Sequence, residues 1–192
     1  MTLESILVNK ESPMKPRDLT VGMLIGPTFE DLEFWSVFMR VREAGFKTLV
    51  IGTEGGETFI SKGGGLTAQS QVAARDVKAA DLFALLVPGG FAPDKMRRDP
   101  DMLRLVRELD AAKKILGFIC HAGWVAASAK ILKGRPVTGS QGIKDDLENA
   151  GGHWVDQPAF RDGHLVWGRV VDDIPAYQRE LVEALEESSL KL

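Results

Sequence analysis

ILGFICHAGWVAAS, residues Ile115 to Ser128, carries five largely apolar residues without a charge into Cys120, the single cysteine of the 192-residue chain. It leaves the cysteine through His121, Ala122 and Gly123 into an alanine-rich segment. A short continuous apolar run closed by a turn is the pattern of a strand buried on both faces, as in parallel sheets. The stretch therefore reads as a buried parallel strand, an abrupt turn with Cys120 at its apex, and the first turns of a helix reaching about Leu132.

Outward from it, the same alternation repeats. Toward the N-terminus, Asp101–Ala112 places Leu103, Val106 and Leu109 on one helical face, and Leu82–Val87 is a second buried strand ended by Pro88-Gly89-Gly90. Val72–Ala80 reads as a loop with a short helical turn, and glycine-rich Thr53–Leu66 as a hairpin. Phe46–Gly52 and Val21–Gly26 are strands flanking a helix over Asp31–Ala44, closed by Gly45. Toward the C-terminus come a short strand at Pro136–Gly139 and a helix over Ile143–Ala150. A hairpin over Ala159–Arg169 turns at Asp162-Gly163, and a last helix starts at Pro175. Strands alternating with helices predict an α/β fold, a mostly parallel sheet covered on both faces. One domain is expected over 19–192, preceded by an extended arm over 1–18 that holds Pro13 and Pro16.

Composition narrows the function. Hydrophobic residues make up 44% and charged residues 27% of the chain, enough apolar material for a full core. A formal net charge of −3 argues against nucleic acid as a partner, because such binders carry a basic stripe. No apolar run approaches the roughly 18 residues of a membrane span, so no membrane association is expected. The N-terminal residues lack a basic start followed by an apolar core, and one cysteine cannot form an internal disulfide, so the expected location is cytoplasmic. His121, His153 and His164 show no metal-ligand spacing, and neither a metal nor an organic cofactor is called for. His153 beside Trp154 reads as a surface or packing residue and His164 as part of a hairpin turn, neither of them catalytic.

A cysteine at a strand-to-helix turn is exposed at the sheet's C-terminal edge, where free N–H groups favour thiolate and can hold a developing oxyanion. From its own residue type, Cys120 can equally be a small buried hydrophobe. The wider pattern separates these readings. Ile119-Cys120-His121, followed by Ser128-Ala129-Lys130-Ile131-Leu132-Lys133-Gly134-Arg135, resembles the ThiJ/PfpI (DJ-one) superfamily, and in particular its PfpI branch, often called intracellular protease I. In register with this are Phe29-Glu30-Asp31-Leu32-Glu33, Arg42-Glu43-Ala44-Gly45-Phe46 and Val87-Pro88-Gly89-Gly90-Phe91-Ala92-Pro93-Asp94. Gly142-Ile143-Lys144-Asp145-Asp146, Trp154-Val155-Asp156 and Asp172-Asp173-Ile174-Pro175-Ala176 also agree, so the resemblance spans roughly residues 20–187.

The resemblance implies a flavodoxin-like three-layer sandwich, similar to a class I glutamine amidotransferase domain. It implies Cys120 as nucleophile and Glu30 as the acid that hydrogen-bonds the thiolate. His121 is the candidate base, although it can also be a packing residue. Asp94 of a neighbouring subunit is the candidate to orient His121, one carbon shorter than the branch's usual glutamate. Gly90 and His121 supply the backbone N–H groups of an oxyanion site, with Gly89 beside them. The partners implied are a small carbonyl compound or a peptide, and a homo-oligomer, a dimer or a hexamer. The chain departs from the branch at Ala122-Gly123-Trp124, where the branch usually has Gly-Pro, and at Phe91 and Ser140, where polar side chains are common. These changes favour a small aldehyde over a peptide. The leading expectation is a cofactor-free conversion of methylglyoxal to lactate, or the related deglycase reaction, through a hemithioacetal on Cys120. An intracellular cysteine peptidase is the second expectation, and a redox sensor or stress chaperone the third. Trp124 reads as a core or interface aromatic, or as a substrate wall.

Overall fold

The apolar run before Cys120 is a strand because every one of its residues is buried, and it can be so only in the middle of a sheet. The computed structural model describes residues 15–192. After a 3-10 turn at Pro16–Asp18 come β1 (Thr20–Leu24), α1 (Asp31–Glu43), β2 (Lys47–Gly52), β3 (Thr58–Ile60), β4 (Thr67–Gln69) and β5 (Val72–Ala73). Then follow β6 (Ala84–Val87), α2 (Ala92–Met96), α3 (Pro100–Ala111), β7 (Ile115–Ile119) and α4 (Gly123–Ser128). The chain continues through β8 (Pro136–Val137), α5 (Lys144–Asn149), β9 (His153–Trp154), β10 (Ala159–Asp162), β11 (Leu165–Gly168) and α6 (Ile174–Ser189).

Seven strands form one sheet in the order β10-β11-β7-β6-β1-β2-β5. All its pairings are parallel except β10 with β11. The helices pack as pairs, α1 beside α6 and α3 beside α4, with α3 and α6 both against β7. The result is a flavodoxin-like α/β sandwich of three layers. β6 and β7 sit at the centre with all their residues buried. In parallel strands the C-terminal ends share one edge, so Gly26–Phe29 after β1, Pro88–Gly90 after β6 and Cys120 after β7 converge there.

Several boundaries differ from expectation. The hairpin is real but pairs Thr58–Ile60 with Thr67–Gln69, beyond the Leu66 limit. Val72–Ala73 is a parallel edge strand on β2, followed by two 3-10 turns, rather than loop alone. The helix after Cys120 stops at Ser128, not Leu132, because Lys130 turns into the left-handed region with φ of 62°. α2 was not anticipated. β8 pairs with β9 in a small separate parallel ladder. Most of the arm expected over 1–18 lies outside the described residues.

Candidate active site

Cys120 is where β7 stops. Its φ is 59°, a left-handed conformation that a residue with a Cβ adopts at a cost, while Ile119 before it is still extended. The turn is enforced from several sides. A 3-10 turn over Cys120–Ala122 leads into α4, and the Cys120 carbonyl accepts from the Ser140 N–H at 3.1 Å. The cysteine is 9% exposed and free.

The loop after β6 lies across the elbow. Gly89 has no room for a side chain: a Cβ there would stand 2.5 Å from Glu33 Oε2, 2.7 Å from Cys120 Cβ and 3.0 Å from the His121 nitrogen. Gly90 adopts φ of 76°, and its neighbours zip this loop to the one after β1. The Glu30 N–H donates to the Gly89 carbonyl at 3.2 Å, and the Phe91 N–H to the Thr28 carbonyl at 3.0 Å. The β3–β4 hairpin is fastened to the same loop. The Thr28 N–H donates to the Ile60 carbonyl, the Lys62 N–H to the Phe29 carbonyl, and Asp31 accepts from Ser61 Oγ and the Gly63 N–H.

Glu33, in the first turn of α1, is the acid at the thiol. It is 1% exposed, and Oε2 accepts from the Gly89 N–H at 2.7 Å while Oε1 has no partner among the described residues. Burial pushes this carboxyl up to about 7, against the Gly89 hydrogen bond, with help from the nearby charge of Glu30. Burial also pushes the Cys120 thiol up to about 12, helped by the charge and hydrogen bond of Glu33. The N–H groups of His121 and Gly90 pull the other way, toward thiolate. Thiol and carboxyl thus titrate as one unit.

His121 Nδ1 lies 3.2 Å from Cys120 Sγ. Burial, and then the charge of Lys62, keep its imidazole below the usual histidine range, so the ring is neutral at pH 7 and can accept a proton. The ring also meets Trp124 edge to face, with centroids 5.2 Å apart. Exposed Phe91 stands at the rim, with the Lys62 ammonium 5.4 Å from its ring centre.

Residues 19–184 match the DJ-1/PfpI family. General stress protein 18 of Bacillus subtilis is 38% identical over 168 residues, covering 87% of this chain and 98% of its own. A deglycase of Pyrococcus abyssi is 34% identical over 168 residues, covering 88% and 100%. A solved two-domain protein of Anabaena variabilis, with DJ-1/ThiJ/PfpI-like and ferritin-like domains, superposes with a TM-score of 0.86 at 32% identity. The match covers 88% of this chain and 48% of that one. The chain belongs to the DJ-1/PfpI family.

The structure places Cys120, His121, Gly89 and Gly90 together at the elbow, and two of the expected site residues elsewhere. Glu30 is not at the thiol. It is the N-cap of α1, its Oε2 accepting from the N–H groups of Leu32 at 2.8 Å and Glu33 at 2.9 Å, so the helix start uses its carboxylate. Three residues on, the helix turns Glu33 inward instead. The signal was available: Glu33 precedes Val37 by one helical turn, on the same stripe as buried Val37 and Val41. A carboxylate on an apolar stripe needs a reason to be there.

Asp94 opens α2 and holds Arg98 Nη2 with both oxygens, at 2.9 and 2.7 Å, and is 41% exposed. Among the described residues no hydrogen bond joins it to His121, and no other carboxylate hydrogen-bonds that ring. Among the described residues no cluster of three or more His, Cys, Asp or Glu side chains could hold a metal. A groove of about 810 Å³ lined by Trp35, Phe38, Phe46 and Leu49 includes none of the site residues. His164, expected in a hairpin turn, lies there half-buried with Nε2 2.7 Å from Asp110 Oδ1.

Proposed function

We propose that the protein is a cofactor-free enzyme that converts small α-oxoaldehydes such as methylglyoxal to 2-hydroxy acids, using Cys120 as nucleophile. The observation that carries this reading is the elbow itself, with Cys120 at positive φ and the buried Glu33 carboxyl both packed against Gly89, and the His121 and Gly90 N–H groups favouring the thiolate. Sulfur adds to the aldehyde carbon, the C=O electron pair moves to oxygen, and Glu33 supplies the proton, giving a hemithioacetal. A base then takes the C–H proton from that carbon and an enediol forms. Return of a proton to the adjacent carbon leaves a thioester of the hydroxy acid. Water hydrolyses the thioester and frees the thiol. The net change is addition of one water, with no external oxidant or reductant. His121, neutral and 3.2 Å from the sulfur, is the base this scheme assigns.

Family membership and a relative named as a deglycase support a cysteine-based enzyme of this kind. The deglycase reaction would begin with the same thiol. A peptidase would need Asp94 to leave Arg98 and reach a neighbour's His121. The reading places the enzyme in the cytoplasm as a homo-oligomer, for which exposed Leu32, Ile60 and Phe91, gathered around the Phe29–Asp31 loop, offer an apolar rim. Sedimentation as a monomer at micromolar concentration would remove the oligomer. The enzyme reading is tested by following lactate from methylglyoxal with wild type and Cys120→Ala. Lactate formation abolished by the substitution supports it; no lactate from the wild type, or undiminished lactate from the variant, overturns it.

A further inference from the structure

We propose that Trp124 is the positioning residue for His121, taking the place that an orienting carboxylate holds in a nucleophile–histidine–acid triad. The inference rests on Cys120 being the nucleophile of the proposed reaction. His121 reaches the thiol through Nδ1, and among the described residues the aromatic ring against it is Trp124, three residues on along the same turn of backbone.

What distinguishes Trp124 from an ordinary packing aromatic is how it is held. Its indole N–H donates to Asp146 Oδ2 at 2.7 Å, which ties it to α5. The Arg97 guanidinium lies over its ring, 5.6 Å from the centre, and ties it to the end of α2. Arg97 is itself fixed by donating from Nε to Ser128 Oγ at 2.9 Å, back on α4. The ring is thus fixed by polar contacts from two helices while it packs against the imidazole, centroids 5.2 Å apart. A half-buried histidine without a carboxylate partner is otherwise free to rotate away from the sulfur.

The two kinds of orienter differ chemically. A carboxylate would stabilise an imidazolium and so favour a charged thiolate–imidazolium pair. An aromatic ring fixes the orientation without adding negative charge, so His121 stays neutral and Glu33 remains the group that shares the thiol's proton. Trp124 thereby explains how this chain can lack an intrachain carboxylate at His121 and still keep the ring pointed at the sulfur.

The test measures alkylation of Cys120 by iodoacetamide across pH, which needs no substrate, beside kcat and KM for methylglyoxal. Trp124→Ala should slow alkylation at pH 7 by roughly ten- to a hundredfold and move the rate-versus-pH limb to higher pH, because an imidazole that swings away no longer holds its Nδ1 contact to the thiolate sulfur. Trp124→Phe, which keeps a ring, should recover to within about threefold of wild type. Asp146→Ala, at an exposed position, frees the indole and should fall between them. On methylglyoxal the losses should appear in kcat with little change in KM.

An unchanged rate and limb in Trp124→Ala would overturn the proposal, as would Trp124→Phe behaving like Trp124→Ala. If Trp124→Ala does not fold, Asp146→Ala decides, and wild-type behaviour there refutes the role. Slowing by Asp94→Ala without slowing by Trp124→Ala would assign the orientation to a neighbour's carboxylate instead. Alkylation that depends on Trp124 in a protein with no oxoaldehyde activity would uphold this proposal while removing the proposed function.

Discussion

Glu30 and Glu33 stand three residues apart, at the cap and in the first turn of one helix, and do opposite work. Glu30 caps the helix at its surface end, accepting from two of its free N–H groups; Glu33 gives up water to sit at the sulfur. Glu33→Gln keeps an acceptor for the Gly89 N–H but has no proton to give to a bound carbonyl, so turnover of methylglyoxal should fall on the order of tenfold or more. The same change removes a charge that raises the thiol, so the limb of Cys120 alkylation should move to lower pH. Glu30→Gln should leave that limb in place and, through the weakened cap, cost about 1 kcal/mol of stability. Stability gives an independent check. Glu33 is raised in the folded protein, so its contribution is full below the ordinary value of 4.5 and is lost as pH rises through about 7. Wild type should lose up to roughly 3 kcal/mol across that window, and Glu33→Gln should not. Cys120 was legible because a lone cysteine between an apolar run and an alanine-rich segment has few other places to go. The choice of acid was not, because a loop motif with two glutamates leaves open which one the helix start consumes.

At the scale of elements, the site depends on a loop that cannot carry side chains. The Glu33 carboxyl that a methyl on Gly89 would meet is pinned by Gly89's own N–H, and the elbow on the other side is already at positive φ. Neither neighbour can give. Gly89→Ala should destabilise the fold by about 2 kcal/mol and abolish Cys120 reactivity in whatever protein folds, read by urea titration and by alkylation. The long elements around this loop were readable from periodicity and burial. The short ones were not. α2 is five residues with Pro93 in its first turn, and in sequence it continues the Pro-Gly-Gly turn. β5 is two residues held by β2 and by Gln71, whose side chain accepts from the Val50 N–H, a contact 21 residues away. α4 ends at a left-handed lysine where no glycine announces a stop.

Across the whole molecule, function and anchoring occupy opposite edges of the sheet. Cys120 follows the last residue of β7, whereas Asp110 precedes its first and His164 precedes the first of β11. Asp110, mostly buried, accepts from His164 Nε2 at 2.7 Å and from both terminal nitrogens of Arg135, joining the end of α3 to the β10–β11 turn and to the segment before β8. This cluster could not be read from sequence, because its members are 25 and 54 residues apart and each has ordinary neighbours. Burial alone would raise the Asp110 carboxyl, but the hydrogen bonds and charges of Arg135 and His164 outweigh it and hold the group below the ordinary 3.8. Its contribution is therefore full above that ordinary value and disappears as pH falls through the lower, folded value. Asp110→Asn should cost about 2 kcal/mol at neutral pH and much less in acid, measured as urea midpoints at both pH values. The same variant should alkylate at Cys120 at the wild-type rate, since five residues of buried strand separate the two edges. A changed rate with the fold intact would mean that the anchor at one end of β7 sets the geometry of the elbow at the other.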